Sequence, residues 1–447
     1  MLKNYANANA REMYRFAERL WPINRSITGQ GVRDTLDLVK EHLPFLRIES
    51  VQSGAQAFDW EIPWEWNVED AFILTPDGQK ICDFKVNNLS LVGYSAPINT
   101  KIDFQELKNH LHFLDQQPDA IPYVTSYYKK DWGFCITKKE FEELKQGTYQ
   151  VFINSTLKPG EMNYGELLIK GQSKKEIFIS SYICHPSMAN NEISGPVVTT
   201  FLAKWLMGRK NYFTYRIILV PETIGSIYYL SRNYRKMKKR VFAGFNVTCV
   251  GDDRQYSLIA SRKGDSMVDL MARHVLKHTD ENYREYSWTG RGSDERQYCS
   301  PGIDLPVVSM MRSKYGEYPE YHTSLDKLGT VVTENGLSGG FLAIARTISA
   351  IETNLLYKSS LLCEPHMSKR DSYPTLSKKG AYSQELRRRM DVLSLCDGKT
   401  SLLDIANKTS VPIWEVSENI SDLVEMGLIK QTRRFPKFLN CLEHVVK

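Results

Sequence analysis

The feature that most constrains the fold is an alternation of apolar runs and helical segments that begins near residue 160. Ile177–Ile183, Tyr215–Val220 and Val241–Val250 are apolar-rich runs of strand length. Segments with helical spacing of apolar residues follow the first two runs, at Val197–Leu206 and Ser226–Arg232. Strands buried on both faces are apolar throughout, and alternation with helices is typical of parallel sheets. The pattern predicts an α/β fold with a mostly parallel sheet and helices on both faces.

Residues 57–155 break this alternation. They are dense in aromatic residues and consist of short β-like runs between turns, which predicts an inserted, mostly β subdomain. Residues 1–56, which contain two amphipathic helical segments, and residues 156–360 are then the two parts of one discontinuous domain. Residues 355–380 are polar without a clear period, and we interpret them as a linker.

The tail, residues 381–447, predicts a winged-helix domain. Three segments have helical spacing of their apolar residues: Ser383–Leu395, Leu402–Asn407 and Pro412–Met426. Ser401 is a good N-cap for the second helix, and Gly427 is a helix stop for the third. A short apolar strand and a basic turn at Arg433-Arg434 follow, which together indicate a β-hairpin.

The charges of the tail argue against DNA binding. Winged helices often bind DNA through a recognition helix, which here is Pro412–Met426. Phosphate attracts basic residues, yet this helix has no Lys or Arg, and only Arg433-Arg434 and Lys437 nearby are favourable. The helix instead carries the acidic residues Glu415, Glu418, Asp422 and Glu425. We therefore expect contact with a protein partner, or self-association, through the winged helix.

Composition narrows the cellular setting. The net charge of +6 is too mild to indicate nucleic acid or a membrane surface. The 8 cysteines are scattered without a C-x-x-C pair, which is typical of a reducing compartment. The N-terminus lacks the apolar core of a signal peptide, and no window approaches the ~20 apolar residues of a membrane helix. We expect a soluble, cytoplasmic protein without a membrane partner.

The first candidate site residue is His185. It follows directly after the apolar run Ile177–Ile183, at the start of a polar loop. In open α/β sheets, ligands bind beyond the carboxyl ends of the strands. Neutral imidazole is a good zinc ligand, although a lone histidine is more often a structural residue. The metal hypothesis therefore depends on what stands at the other strand ends.

Polar clusters follow the other two apolar runs as well. Glu222 follows the second run, where it can act as a general base or as a helix N-terminal carboxylate. Thr248 and Asp252-Asp253 lie at the end of the third run, and Gly292–Glu295 and Tyr321–Asp326 come later. Each cluster alone is compatible with an ordinary loop. Five clusters in this order indicate a single site.

This order of motifs resembles that of the co-catalytic zinc aminopeptidases. Their pattern is a strand-end His, an Ala-Asn-Asp-x-x-Ser-Gly loop, a Glu-Glu pair, a strand-end Asp, a Ser-Asp and a final Tyr-His-Thr. The whole layout resembles, more closely, a family of bacterial aminopeptidase-like proteins with an inserted β domain and a C-terminal winged helix. Some of these are found among polysaccharide-biosynthesis genes. The matching segments are Pro22–Gly29, Phe58–Pro63, Ser126–Tyr128 and Trp132–Phe134.

The resemblance implies roles for three residues. Carried over by position, His185 and His322 are the histidine ligands of zinc, and Glu222 is the general base. The implied activity is that of a metal-dependent aminopeptidase, or a related amidohydrolase, acting on a peptide or a small amide. Rival functions are a non-catalytic binding or scaffold protein that retains the peptidase fold, and a peptide-sensing regulator that uses its winged helix.

The chain departs from the family pattern at each carboxylate ligand. Asn191 falls at the bridging Asp, Thr223 at the second Glu of the pair and Thr248 at the remaining Asp. Neutral amides and hydroxyls are poor ligands for two dications held close together. We therefore expect one zinc ion rather than two.

Other residues can replace the missing ligands. Glu192 can take the place of the bridging residue, and Asp252 or Asp253 can replace Thr248. The site can equally bind a different ligand, or serve binding alone. The metal-site residues predicted on this basis are His185, Asn191, Glu192 and His322.

Overall fold

A computed structural model of the chain describes residues 2–370 and 383–433. Its helices are α1 (Leu2–Leu20), α2 (Gln30–His42), α3 (Phe104–Leu107), α4 (Lys138–Glu142), α5 (Ser194–Met207), α6 (Ile224–Arg240), α7 (Met267–Lys277), α8 (Glu295–Tyr298), α9 (Glu334–Thr353), α10 (Gln384–Ser394), α11 (Leu402–Thr409) and α12 (Ile413–Glu425). Among these described residues, no helix has the length and apolar character that crossing a membrane requires.

The strands are distributed over one large sheet and several small ones. In chain order they are β1 (Arg47–Gln52), β2 (Gln56–Ala57), β3 (Trp60–Glu61), β4 (Glu65–Leu74), β5 (Lys80–Ile81), β6 (Ile98–Asp103), β7 (Leu111–His112), β8 (Phe134–Cys135), β9 (Thr148–Lys158), β10 (Glu161–Ile169), β11 (Glu176–Tyr182), β12 (Thr214–Val220), β13 (Val241–Asn246), β14 (Ser257–Ile259), β15 (Arg284–Tyr286), β16 (Val307–Met311), β17 (Leu356–Ser359), β18 (Asp397–Ser401) and β19 (Ile429–Arg433).

The large sheet has the strand order β1-β10-β12-β11-β13-β16-β14-β15. Its centre, β12-β11-β13-β16, is parallel, whereas β1 and β10 on one side pair antiparallel with their neighbours. On the other side β14 pairs antiparallel with β16 and parallel with β15. The predicted α/β fold is confirmed. The sheet as a whole is mixed. Its antiparallel strands were not predicted, because they lie outside the apolar runs that indicated the parallel centre.

Helices cover the central strands on both faces. On one face Phe178 of β11 belongs to a core cluster with Tyr229 and Leu230 of α6 and Tyr298 of α8. On the other face α5 lies against β11. The start of α5 approaches so closely that a Cβ at Gly195 would lie 2.5 Å from Ser181 Oγ. This close approach explains why a glycine stands in the first turn of the helix. It also fixes the preceding loop against the strand ends.

The predicted insert contains a four-stranded antiparallel sheet with the order β5-β4-β9-β6. Trp66, Ile73, Tyr149 and Val151 are buried in its core. The chain enters after β1 and leaves directly into β10, so the insert is anchored at one edge of the large sheet. β9 continues to Lys158, slightly beyond the predicted boundary at residue 155.

The chain divides into two compact units, residues 1–269 with 282–344, and residues 270–281 with 345–447. In the second unit β17 pairs antiparallel with both β18 and β19, beside α10, α11 and α12. The predicted linker at 355–380 is therefore wrong for residues 356–359, which gain their strand structure from these partners. Residues 371–382, Arg434 and Lys437 lie outside the described residues.

Candidate active site

The predicted strand ends meet at one edge of the large sheet. β11 ends at Tyr182, three residues before His185, and its neighbour β12 ends at Val220, two residues before Glu222. β13, on the other side of β11, is followed by Thr248. Because the three strands are parallel, their carboxyl ends lie at the same edge. This edge collects the polar residues that the sequence analysis selected.

Two imidazoles and a carboxylate converge there. The ring centroids of His185 and His322 lie 5.6 Å apart. Nε2 of His185 lies 3.6 Å from Oε2 of Glu222. The ring nitrogens of His322 make no hydrogen bond to any described residue. His185, from the first of these strand ends, thus neighbours both the second histidine and the carboxylate of Glu222.

His185 is held by a buried ion pair. Oε2 of Glu192 accepts a hydrogen bond from Nδ1 of His185 at 2.9 Å, and Oε1 accepts one from Arg25 Nε at 3.2 Å. The same Arg25 nitrogen reaches the backbone carbonyl of His185 at 3.0 Å. A proton on Nδ1 leaves the lone pair on Nε2, on the side of Glu222. Carboxylates fix the ligand nitrogen of metal-binding histidines in this way.

The role of Glu192 as a replacement for the bridging residue stays a prediction. Both of its oxygens are engaged, and the Arg25 guanidinium beside it already balances its charge. Within the described residues, Cys184, His185 and Glu192 are three side chains whose potential ligand atoms lie within 4.8 Å of one another. The Arg25 guanidinium repels a metal ion at that position, so the Nε2 side of His185 is the more favourable place for a metal ion.

The pKa values of the two histidines are shifted in opposite directions. Burial lowers the pKa of His185, but the neighbouring Cys184 sulfur and the Glu192 carboxylate outweigh this effect and hold the pKa well above its usual value. Burial, with the charge of His185 as a second cause, lowers the pKa of His322 to about 3. His322 is therefore neutral at physiological pH, as a metal ligand must be.

Glu222 has the environment of a general base. Burial raises its pKa above the usual value, against the opposing charge of His185. Ser293 Oγ donates to Oε1 at 2.8 Å, which leaves Oε2 on the side of His185. Asp294, which accepts from the Thr223 amide at 2.8 Å, is also buried, and its pKa is raised to about 8 by that burial and by Glu222. The Ser-Asp motif thus supports the strand-end Glu.

Asn191 lies in a one-turn π-helix, Ala189–Ile193, that leads into α5. Its Oδ1 accepts from Tyr182 Oη at 3.1 Å, and its backbone carbonyl accepts from the same hydroxyl at 2.8 Å. Its buried Nδ2 has no hydrogen-bond partner among the described residues. An amide turned by 180° would place Oδ1 at this vacant position and let Nδ2 donate to Tyr182 Oη. Asn191 can thus present an oxygen to a cation.

The aspartates considered as replacement ligands serve the scaffold instead. Both oxygens of Asp252 accept from Ser313, and one accepts from Asn190 Nδ2 at 3.0 Å. Asp253 pairs with Thr333 and Asn335 on the surface. The prediction that either residue replaces Thr248 is therefore wrong. These contacts hold the loops in place, and that role requires long-range partners that strand-end spacing does not show.

Backbone strain is concentrated in the loops of the site. Thr223, Cys249 and His322 have φ values of 63°, 51° and 56°. This left-handed region is costly for residues other than glycine, most of all for a β-branched residue such as Thr223. Strain of this kind persists only where the surroundings impose it, and it recurs at functional sites.

The insert contributes Tyr123, whose place beside the two histidines the sequence does not predict. The ring of Tyr123 meets His185 and His322 edge-on, with centroid distances of 5.2 Å and 5.1 Å. Its hydroxyl lies 3.0 Å from that of Tyr127. The family match at Ser126–Tyr128 was the one sequence signal near this position, and it did not indicate contact with the metal-site histidines.

The residues fit one cation. His185 Nε2 and the ring nitrogens of His322 are free of strong partners, and the vacant position beside Asn191 suits an oxygen ligand. Two imidazoles and one oxygen are ligand types found in catalytic zinc sites, which keep a position open for water.

The residues do not fit a second cation. Thr248 Oγ1 is 2.6 Å from the Tyr182 hydroxyl, so a hydrogen bond takes up this side chain. Arg296 Nη2 donates to Thr223 Oγ1 at 2.7 Å, which brings a positive charge to the position of the second Glu. With Asn191 neutral as well, none of the three positions offers a carboxylate ligand for a second dication.

Two family profiles match the chain. The family described as Domain of unknown function (DUF4910) matches residues 14–354, and a winged helix-turn-helix family matches residues 355–431. A Clostridium acetobutylicum protein is 41% identical over 420 residues, which are 94% of this chain and 96% of that protein. That relative is named, provisionally, a polysaccharide biosynthesis protein with an aminopeptidase-like domain.

Solved structures give the same fold. A crystal structure of a Clostridium acetobutylicum protein, described provisionally as a peptidase, has a TM-score of 0.89 at 39% identity and covers 96% of this chain and 98% of that one. BSAP, a zinc aminopeptidase from Bacillus subtilis, has a TM-score of 0.53 at 15% identity, covering 75% and 94%. The second likeness is one of fold alone.

Proposed function

We propose, on the premise that the chain belongs to the DUF4910 family and is similar to a Clostridium acetobutylicum protein named for an aminopeptidase-like domain, that it is a metal-dependent aminopeptidase or a related amidohydrolase. The substrate is a peptide or a small amide. The observation that carries this proposal is the convergence of His185, His322 and Glu222 on one space at the carboxyl edge of the parallel strands.

One zinc ion is the proposed cofactor. His185 through Nε2 and His322 would hold it, with the amide oxygen of Asn191 as a weaker third ligand. Glu192 is proposed to orient His185 rather than to bind the ion. A bound zinc ion supplies Lewis acidity toward the scissile carbonyl and lowers the pKa of a water molecule.

Glu222 performs the proton transfer in this proposal. Its Oε2 takes a proton from the attacking water and passes it to the departing amine nitrogen. The raised pKa of this buried carboxyl brings it nearer to working pH, where general bases are most effective. Ser293 holds the other oxygen, so the accepting oxygen keeps its orientation.

Elemental analysis tests the metal site directly. We expect about one zinc per chain in protein purified without chelator, since a catalytic zinc site has three protein ligands. His185→Ala and His322→Ala should each lose the ion. His278→Ala, which alters a histidine of the other unit, is the matched control and should keep it. Metal content that is unchanged in both site variants would end the zinc proposal, and two ions per chain would contradict the single-ion assignment.

The relative's name suggests a direction for the substrate search. It refers to polysaccharide biosynthesis, so we propose testing N-acylated amino sugars beside aminoacyl amides as sources of the scissile amide. Hydrolysis by the wild type that Glu222→Gln removes would assign the substrate class. Equal turnover by both proteins would point to a contaminating enzyme.

The winged helix is proposed to contact a protein partner or a second copy of the chain. Two acidic residues of α12 are already paired, Glu415 with Arg388 at 2.8 Å and Asp422 with Arg389 at 2.6 Å. The arginine run of α10 is therefore engaged in ion pairs and offers little to phosphate. Salt-dependent binding of the full chain to duplex DNA would contradict this assignment.

A further inference from the structure

The insert reaches the candidate site through one short segment. Tyr123 donates its backbone N–H to the carbonyl of His322 at 2.9 Å. Two residues away, Ile121 and Ser324 exchange hydrogen bonds of 3.0 Å and 2.9 Å through the Ser324 hydroxyl and backbone amide. The segment is thus fixed to the loop that carries His322, and the position of the Tyr123 side chain is tied to that of the imidazole.

Two tyrosine hydroxyl groups are linked beside the imidazoles. Tyr123 Oη and Tyr127 Oη are 3.0 Å apart. Burial raises the pKa of Tyr127 to about 12, while the Tyr123 and Ser26 hydroxyls act in the opposite direction. Ser26 belongs to the family-matching segment Pro22–Gly29 and lines a cavity of about 330 Å³. Tyr127 thus has Tyr123 as its hydrogen-bond partner and Ser26 as a further hydroxyl neighbour.

The link between the two tyrosine hydroxyls can run in either direction, because each hydroxyl carries one proton and can also accept one. When Tyr127 donates to Tyr123, the proton of Tyr123 is left for another acceptor. The Tyr123 side chain has no further hydrogen bond to a described residue and is only partly buried.

We propose that the Tyr123 hydroxyl donates a hydrogen bond to an oxygen of the substrate, and that Tyr127 and Ser26 orient it. Tyr123 packs edge-on against both imidazoles, so a substrate amide bound between them and Glu222 lies beside its ring. The insert thereby supplies a residue that contacts the substrate. This inference rests on the proposed function, because it needs a carbonyl oxygen at that place.

The test uses phenylalanine variants of the full, zinc-loaded chain, which remove single hydroxyls and keep the rings. For Tyr123→Phe we expect kcat for an aminoacyl amide to fall ~100-fold with KM nearly constant, as for loss of a transition-state donor. Tyr127→Phe should lose less, ~10-fold, because it acts through Tyr123. Tyr149→Phe is the matched control, since its buried hydroxyl bonds only to the backbone of Lys145. It should behave as the wild type.

A binding measurement separates this inference from the proposed function. Acetohydroxamate, an acyl analogue with two oxygens, is titrated calorimetrically into each variant, and zinc content is measured alongside. We expect weaker binding by Tyr123→Phe alone, ~10-fold, at unchanged zinc content. Equal binding and equal kcat in Tyr123→Phe and Tyr149→Phe, with Glu222→Gln inactive, would overturn the inference and leave the function standing. A wild type without zinc or hydrolysis would refute both.

Discussion

Two buried polar networks in the larger unit differ in one respect that separates structure from function. Around Arg216 every polar atom is paired: the guanidinium meets both oxygens of Glu176 at 2.7 Å and 3.1 Å, Glu166 at 2.6 Å and the Tyr229 hydroxyl at 2.8 Å. Tyr229 in turn donates to Glu166 at 2.5 Å. This network is closed, and nothing in it calls for a ligand.

The network around His185 is open. Buried atoms without a partner among the described residues include Arg25 Nη2, Asn191 Nδ2 and Asp294 Oδ2. Leaving a buried polar atom unpaired costs about 1–3 kcal/mol, so folded proteins tolerate few of them. Their concentration beside two imidazoles and the Glu222 carboxylate supports the proposal that a ligand completes this place. The contrast teaches that buried charge alone does not indicate a ligand site, whereas a group of buried polar atoms without hydrogen-bond partners does.

The largest effect should follow from replacing Glu222, the proposed general base in the open network. Glu222→Gln keeps the size of the side chain but cannot accept the proton, so kcat should fall 100- to 10,000-fold, roughly the range for general bases. Because the variant removes a buried carboxyl with a raised pKa, the melting temperature should stay equal or rise. Steady-state kinetics and a thermal scan measure both. Activity above a tenth of the wild type would exclude Glu222 as the base.

Breaking the closed network should instead cost stability. Arg216→Met leaves the buried carboxylates of Glu176 and Glu166 short of their main partner, and we expect a loss of about 3–5 kcal/mol in the free energy of unfolding. Chemical denaturation measures it. Arg47→Met is the control, because this exposed arginine also pairs with Glu166 but should contribute less than about 1 kcal/mol. A small loss in Arg216→Met, or lost zinc in the folded variant, would erase the distinction between the networks.

The sequence predicted the components of the open network better than their connections. His185 and Glu222 were found because parallel strands end at a common edge, a rule that needs only local patterns. The pairing of Arg25 with Glu192, and the approach of Tyr123 to both imidazoles, join segments whose separation in sequence leaves no local trace. Hence the sequence predicts Glu192 as a ligand, and it counts Tyr123 among the aromatic residues of the insert without placing it beside the imidazoles. The family resemblance, by contrast, is confirmed by the profile and by the Clostridium relative.

The winged-helix unit shows the same limit at a smaller scale. Leu402–Thr409 and Ile413–Glu425 match the predicted helices closely, because caps and apolar spacing are local signals. The sequence predicts a linker at Leu356–Ser359, since four residues with two polar side chains show no clear strand or helix periodicity. Its strand structure depends on pairing with β18 and β19, and propensity in strands is strongly context-dependent.

A third variant tests whether Glu192 belongs to the support of the open network or to its ligands. Glu192→Gln retains hydrogen bonding to Arg25 or His185 but weakens the orientation of the imidazole, so zinc affinity should fall ~10- to 100-fold, as for other outer-shell partners. Competition with a chromogenic chelator measures the affinity. Glu222→Gln, whose carboxylate is proposed as base and not as ligand, should bind zinc as the wild type does. A loss as complete as that of His185→Ala would make Glu192 a ligand.

The smallest effect concerns a closed site in the other unit, where pH is the probe. Nε2 of His274 accepts from the Ile413 amide at 3.0 Å, and Nδ1 bonds to Asn407 Oδ1 at 2.8 Å, so the folded unit requires a neutral ring. Burial lowers the pKa of His274 to about 4, from an ordinary value of 6.5. Between these values the unfolded chain binds the proton and the folded chain does not. Stability is therefore complete above pH 6.5 and declines as pH falls toward 4.

From pH 7.5 to pH 5.5 this histidine should remove about 1 kcal/mol of stability, a figure that follows from roughly one proton taken up by the unfolded state over one pH unit. His274→Gln should be less stable at pH 7.5 but should lose less on acidification, as measured by denaturation at both values. His278→Gln alters the neighbouring ring, which makes no hydrogen bond to the backbone of the described residues, and should keep the wild-type slope. If His274→Gln keeps that slope as well, the folded unit does not need a neutral ring at His274. Complete hydrogen-bond pairing would then be a weaker sign of a purely structural role than the Arg216 network suggests.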